Sequence, residues 1–357
     1  MKILVLGGGS QGRVIAADLS AALPRATVTV ADLRRPALPA RQNLSWVEAD
    51  CSDVEELERL LAGHTLGVGA LPSHLGMGAM KAAIVARRNF VDVSFCAQDP
   101  LLLDAGARAA GITIVPDCGL APGLSNLLLG RTVPRRGTPR SATIIVGGVA
   151  EDPARPFGYV VTWSLDDLLE EYTRPARIVR GGRETSVPVF SGLARVMIDG
   201  VGEMEAFYSD GLRTLIRTMP GVREMGEMTL RWPGHVAAIL PLLSAGTLRE
   251  ELARRCTLDP PRDLVALVVR ASWDAGGEEV TMVDRYDAAS GLTAMARTTA
   301  LTTAAVARLA AEGGLGGPGV RPLEQLALDA QACRFVLEIM TGHGVKFTRR
   351  ATPDPAL

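Results

Sequence analysis

The chain has 357 residues, is 47% hydrophobic and 22% charged, and balances 38 Lys+Arg against 39 Asp+Glu for a net charge of −1. That balance excludes nucleic acid as the main partner, since phosphate binding calls for a basic excess. The composition excludes a disordered or low-complexity chain, and the length suits about two domains.

No apolar run approaches the roughly 20 residues that span a bilayer; residues 236–243 are among the longest. The start runs from a short apolar stretch into three glycines, with no signal-peptide pattern, so a cytoplasmic protein is expected. Five scattered cysteines, none in a C-x-x-C pair, and four histidines argue against a structural metal. Lys2, Lys81 and Lys346 are the three lysines. Acid–base chemistry is therefore sought among Asp, Glu, His, Tyr and Cys.

Residues 3–6, Ile-Leu-Val-Leu, have the continuous apolar pattern of a strand buried on both faces. Gly7, Gly9 and Gly12 follow at G-x-G-x-x-G spacing, with Ser10 and Gln11 inside the motif, and a helix is expected over 13–23. A β-rich run over 26–31 leads to Asp32, 20 residues beyond Gly12. Strand, glycines, helix and distal acid together form a dinucleotide-binding fingerprint. Gly7 permits the tight turn, Gly9 bares the backbone to a pyrophosphate, and Gly12 lets helix and sheet pack closely. The amides that open the helix receive the phosphates. Asp32 accepts hydrogen bonds from ribose hydroxyls and repels a 2′-phosphate, so NAD is the expected cofactor; Arg34 and Arg35 leave NADP as the alternative. Asp50, ending a third strand, and Pro72 and His74, after a fourth, complete the expected cofactor-binding set.

The alternation continues with helix 53–61, strand 66–71, helix 75–88, strand 90–95, helix 100–110 and strand 112–115. Six strands alternating with helices predict an α/β fold, a Rossmann doubly wound parallel sheet, with ligands outside the carboxyl ends of the strands. Asp92 and Asp117-Cys118 fall at such ends. From about residue 142 the texture turns to β, with strands over 142–146, 177–179, 228–231, 264–272 and 279–286 and helices over 165–172, 210–218 and 248–255. This is a second, mixed α+β domain for substrate binding and dimerisation, over 126–296. Helix 298–311, a linker over 316–322, a helix over 335–341 and a strand over 345–347 are expected to return to the first domain. The dinucleotide-binding domain is thus 1–125 with 297–357.

Three segments carry a family resemblance. Val115-Pro116-Asp117-Cys118-Gly119-Leu120-Ala121-Pro122-Gly123-Leu124-Ser125-Asn126 resembles the hinge of the saccharopine dehydrogenase-like oxidoreductases. Gly147-Gly148 followed by Tyr159-Val160-Val161-Thr162-Trp163-Ser164 is similar to the same group. So is Arg231-Trp232-Pro233-Gly234-His235, with Trp232 in place of the usual Tyr. Within the family, the length and His235 most resemble the L-lysine 6-dehydrogenases. The resemblance implies NAD(P)-dependent oxidation of an amino-acid C–N bond, here oxidative deamination of the lysine ε-amino group. Saccharopine- or carboxynorspermidine-type reductive condensation is the alternative, and a non-catalytic dinucleotide sensor a second one. A homodimer or higher homo-oligomer and a small-molecule amino-acid substrate are the expected partners.

Hydride leaves only from an uncharged amine, so the reaction needs a base. His235 follows a Pro-Gly turn and has an ordinary pKa near 6.5. With Asp117 and Tyr159 it makes the candidate catalytic set. Arg231 is the candidate anchor for a substrate carboxylate. Asp92, Cys118 and Trp163 are the remaining substrate-site candidates. Each has a plainer reading: a cap or hinge hydrogen bond for the acids, a structural histidine, a buried thiol, core aromatics, and a salt bridge for one arginine among 35 (38 basic residues less three lysines).

Overall fold

A computed structural model describes residues 1–352. The chain opens with β1 (Lys2–Leu6), α1 (Ser10–Ala22), β2 (Thr27–Asp32), β3 (Leu44–Glu48), α2 (Val54–Ala62), β4 (Leu66–Gly69), α3 (Ser73–Ala86), β5 (Asn89–Asp92), α4 (Asp104–Ala110), β6 (Thr113–Val115) and α5 (Leu124–Gly130). It continues through α6 (Val133–Arg136), β7 (Ser141–Ala150), α7 (Leu165–Glu171), β8 (Ala176–Arg180), β9 (Arg183–Val187), β10 (Ala194–Ile198), β11 (Gly202–Ser209), α8 (Leu215–Thr218), β12 (Glu224–Arg231), α9 (His235–Ser244), α10 (Leu248–Cys256), β13 (Asp263–Trp273) and β14 (Gly276–Arg285). It closes with α11 (Ala294–Ala311), β15 (Gly319–Val320), α12 (Leu323–Leu326), α13 (Ala330–Gly342) and β16 (Phe347–Thr352). Two compact units result: residues 1–131 with 296–343, and 132–295 with the described residues from 344 on.

The first unit is a parallel sheet in the order β3-β2-β1-β4-β5-β6-β15. This is the doubly wound order, with a switch point between β1 and β4, where such sheets bind ligands. Ile3, Leu4, Val5 and Leu6 of β1 are fully buried, as a strand covered on both faces requires. A side chain at Gly67 would collide with Leu61 and Phe90, so this small residue of β4 lets a neighbouring aromatic and a helix close on the strand. Seven strands form where six are expected, because part of the presumed linker adds to the edge. Gly319 N–H donates to Ile112 O at 2.8 Å and Thr113 Oγ1 to Gly317 O at 3.1 Å.

The second unit is a nine-stranded mixed sheet with the path β10-β11-β12-β7-β13-β14-β16; β8 pairs with β12, and β9 with β8. One face carries Ile145, Val149, Met204, Ala206, Leu230, Leu264, Ala266 and Val268, all buried among strand residues. The sheet curls over this face: Arg285 of β14 donates to Gly200 O at 3.1 Å, and Arg350 of β16 pairs with Asp199, both in the β10–β11 turn. On the other side Tyr159, Tyr172, Phe207, Val236, Ile239, Leu248 and Leu252 form a second core that includes α7, α9 and α10.

The tail departs from expectation. Helix α13 belongs to the first unit, but β16 pairs antiparallel with β14 from Met282↔Phe347 to Gly277↔Thr352 and belongs to the second. Strand β14 offers an open edge that the tail fills, and Arg349 on it reaches buried Glu278 at 2.7 Å. Residues 353–357 of the expected first domain lie outside the described residues. Strands β9, β10 and β11 and helix α9 were not legible; α9 contains Pro241, a helix-breaking signal. The helix expected over 210–218 shrinks to α8, because Asp210 is engaged by Arg177 and Arg213 takes φ +51°.

Candidate functional site

The first unit builds a dinucleotide cradle at the carboxyl ends of β1, β2 and β4. Gly7 has φ +91°, and a side chain there would strike Ala70 O, just after β4. A side chain at Gly12 would strike Gly7 O, so only glycine allows α1 to leave the turn this tightly. Gly9 faces open space, and α1 has no side-chain cap. Its opening amides, at Ser10 and Gln11, thus have no side-chain cap, the arrangement that suits a pyrophosphate at a helix N-terminus. Gln11 Oε1 is buried without a hydrogen-bond partner among the described residues. This loop fits a nicotinamide dinucleotide.

Asp32 ends β2, accepting from Gly8 N–H at 2.6 Å and Arg34 N–H at 2.9 Å. It clamps the glycine loop to β2. Pro72 and His74 are exposed at the start of α3, beside the cradle, and Pro72 caps that helix. Asp50 is exposed and accepts from Ser52 N–H and Oγ at 2.9 and 2.6 Å, which lowers its pKa; the cap of α2 is Asp53 instead.

Asp92 is fully buried at the end of β5, not open to a substrate. Ser94 N–H and Oγ both donate to its Oδ1, while Oδ2 has no partner among the described residues. Burial pushes its pKa up to about 7. Asp117 is 4% exposed and strained at φ +51°. Cys118 is fully buried, donates its amide to Asp92 O at 2.7 Å, and accepts at its carbonyl from Thr303 Oγ1 of α11 at 2.7 Å. Burial raises its thiol pKa well above the ordinary value, so it is a packed thiol at the hinge, not a nucleophile.

The second unit gathers a polar network over β11 and β12. Glu227, Thr229 and Arg231 alternate onto one face of β12, opposite Ser209, Phe207 and Glu205 of β11. Arg231 donates Nε to Tyr172 Oη at 2.8 Å, Nη1 to Leu230 O at 2.8 Å and Nη2 to Glu171 Oε2 at 3.1 Å. Its guanidinium lies 5.2 and 5.4 Å from the Tyr159 and Tyr172 ring centres. Arg231, which the sequence suggested as the carboxylate anchor, thus has all three guanidinium nitrogens engaged within the chain. His235 is 2% exposed; its Nδ1 meets Phe157 O at 2.7 Å and its Nε2 meets Tyr172 Oη at 2.9 Å. A carbonyl only accepts, so Nδ1 carries the proton and Tyr172 donates to Nε2. Burial, then the Arg231 charge, pushes the His235 pKa down to about 3. The histidine expected to titrate near neutrality is instead a neutral, enclosed ring.

Glu205 sets its position. This buried carboxylate accepts from Gly234 N–H at 2.8 Å and Val236 N–H at 2.7 Å, capping α9 on either side of His235. Trp163 donates Nε1 to Tyr159 Oη at 2.9 Å; the two residues meet across a turn before α7. Burial raises the Tyr159 pKa, so it stays protonated. Sequence reasoning missed Glu171, Tyr172 and Glu227, and placed Glu205 only in a segment (205–211) that resembles a family loop near the substrate, with no role beyond possible lining. The signals were faint: Glu205 and Glu227 are acids inside β-patterned runs, and Glu171 ends a helix where a cation is preferred.

Two family models cover the chain: "Saccharopine dehydrogenase NADP binding domain" at residues 3–115 and "Saccharopine dehydrogenase C-terminal domain" at residues 119–345. The chain belongs to the saccharopine dehydrogenase family. The first of these models, a dinucleotide-binding domain, coincides with the cradle. Relatives include the "Saccharopine dehydrogenase [NADP(+), L-glutamate-forming]" of Pyricularia oryzae, 25% identical over 221 residues (59% of this chain, 49% of that protein). That of Saccharomyces cerevisiae is 24% identical over 263 residues (70% of this chain, 59% of that protein). The chain thus spans about half the length of these relatives. In fold it is similar to the apo, histidine-tagged saccharopine dehydrogenase (L-Glu forming) structure from Saccharomyces cerevisiae, with TM-score 0.77 and 19% identity over 98% of this chain and 99% of that one. Among the described residues no helix is long and apolar enough to cross a membrane.

Proposed function

We propose that this protein oxidises the C–N bond of an amino acid with NAD(P), and that the ε-amino group of L-lysine is its first candidate substrate. Membership of the family supports the reaction class. The observation that carries the lysine reading is the commitment of Arg231, whose three guanidinium nitrogens are all engaged within the chain. A saccharopine-type enzyme must hold two carboxylate-bearing halves and lysine brings one, so a site whose buried arginine is already paired suits lysine better. The saccharopine-type reaction is the second reading, favoured by the names of the relatives.

A bound nicotinamide supplies the hydride acceptor. Gly7, Gly9 and Gly12 with the Ser10 and Gln11 amides hold its pyrophosphate, Asp32 its ribose, and Asp50, Pro72 and His74 flank it. Asp32 supports NAD over NADP, with Arg34 and Arg35 available to a 2′-phosphate. Of the three catalytic candidates, Asp117 is the proton acceptor we favour, Tyr159 is a donor, and His235 orders Tyr172. Trp163 holds the Tyr159 hydroxyl within the second unit, and Cys118 is packed next to Asp117 in the chain of the first. A homodimer in the cytoplasm is part of the same reading; exposed Leu193, Met197 and Leu240 in the second unit support association, and light scattering tests it.

The deciding experiment follows absorbance at 340 nm with NAD and with NADP, offering L-lysine, L-saccharopine, ornithine and diamines. Ammonia release with NAD and lysine is the expected result. Turnover of saccharopine without lysine selects the second reading. No turnover with any of them, with dinucleotide still bound, makes the protein a dinucleotide sensor.

A further inference from the structure

The network on β12 reaches toward solvent at Glu171. Tyr159, Tyr172, Arg231 and His235 are each 2% exposed or less, whereas the Glu171 side chain is 17% exposed. Thr229 Oγ1 donates to Glu171 Oε1 and Arg231 Nη2 to Oε2. A carboxylate offers about four lone-pair directions, so two internal donors orient the group and leave it able to accept from outside.

Its location is unfavourable for stability alone. Glu171 is the last residue of α7, where the helix dipole disfavours an anion. Replacing a buried ion pair by apolar residues is often neutral or stabilising, so the Arg231–Glu171 pair is weakly explained by stability. A second acid lies beside it. Glu227, two residues before Thr229 on the same face of β12, is 5% exposed, and its Oε2 has no hydrogen-bond partner among the described residues. Gly211 packs against the Glu227 carboxyl from the other side; any side chain there would overlap it. The cluster is thus a partly exposed carboxyl group fixed by a buried arginine, with a buried, unpartnered carboxyl oxygen of Glu227 next to it.

We propose that Glu171 is the substrate-binding carboxylate, receiving the protonated amino group of an amino-acid substrate. Arg231 serves it indirectly: the guanidinium, held between Tyr159 and Tyr172, keeps the Glu171 carboxyl aimed. The ligand class is a primary ammonium. This inference rests on the amine-oxidation reading above but is tested by binding, so the two fail separately.

The test is isothermal titration calorimetry of the full chain with L-lysine and with 6-hydroxy-L-norleucine, which replaces the ε-ammonium by a hydroxyl. The wild type is expected to bind lysine at least tenfold more tightly than the hydroxyl compound. Glu171→Gln keeps the size of the side chain; once circular dichroism shows it folded, it is expected to lose at least tenfold in lysine affinity while its affinity for the hydroxyl compound stays unchanged. Unchanged lysine affinity in Glu171→Gln overturns the assignment, as does a wild type that binds no lysine. If the variant does not fold, the wild type decides: equal affinity for the two compounds overturns it. Tight, Glu171-dependent lysine binding with no 340 nm signal sinks the oxidation reading and leaves Glu171 in place.

Discussion

At the scale of single residues, burial decides chemistry. His235 has the residue type and turn context of a general base, yet both ring nitrogens are bonded inside the second unit and its pKa falls to about 3. His235→Asn is therefore expected to leave the acidic limb of the kcat/KM profile where the wild type has it; a limb that moves with this substitution would restore the histidine as base. Glu205 makes a firmer prediction. Hydrogen bonds to a charged group contribute about 1.5–3 kcal/mol each, and Glu205 accepts two from buried or partly buried amides. Glu205→Ala should lower unfolding free energy by about 3 kcal/mol in urea titrations. A loss under 0.5 kcal/mol would mean that water replaces the cap. Neither role was visible from the sequence, because each depends on partners 29 to 78 residues away.

At the scale of elements, local signals and edge filling part company. The β1–α1–β2 unit was legible because its glycines, apolar strand and distal acid are all sequence-local. Gly12→Ala should abolish dinucleotide binding, measured by quenching or calorimetry, because the added methyl meets Gly7 O and pushes α1 off the turn. Retained affinity would show that the turn relaxes at little cost. The strands β15 and β16 were misassigned because they are short pieces that pair with whichever sheet edge is open, one in each unit. Ending the chain after Lys346 should loosen the second unit selectively. It removes the β14 partner strand and the Arg349–Glu278 ion pair. Hydrogen exchange should rise along β14 while β1 to β6 stay protected; equal protection in β14 would deny β16 any structural part.

At the scale of the whole molecule, buried titratable groups set the pH response. Burial raises Glu227 to about 8 and Asp92 to about 7. Each folded group keeps its proton to higher pH than in the unfolded chain, so stability from these groups is present below about pH 4 and is lost as pH rises toward 7 and 8. His235 acts in the opposite sense. Its lowered pKa lets the unfolded chain take up a proton the folded one refuses, so stability falls as pH drops from about 6.5 toward 3. Above pH 6.5 the histidine is silent and the acids alone act, so melting temperature should fall between pH 6.5 and 8. Glu227→Gln, with no proton to lose, should flatten that slope; an equal slope in the variant would show that Glu227 titrates normally.

By itself the sequence determined the doubly wound first unit, its nucleotide loop and the family, because apolar strand runs, turn glycines and the helix start act over a few residues. It also determined that the middle of the chain is a mixed sheet. Only the tertiary structure decided which edge each terminal strand joins, since an open edge is a property of the folded sheet. It likewise decided that Arg231 and His235 are internal and that Glu171, bonded to both Thr229 and Arg231, is partly exposed. Exposure and charge state follow from what packs over a side chain, and those neighbours come from α7, β11 and β12, brought together only by folding.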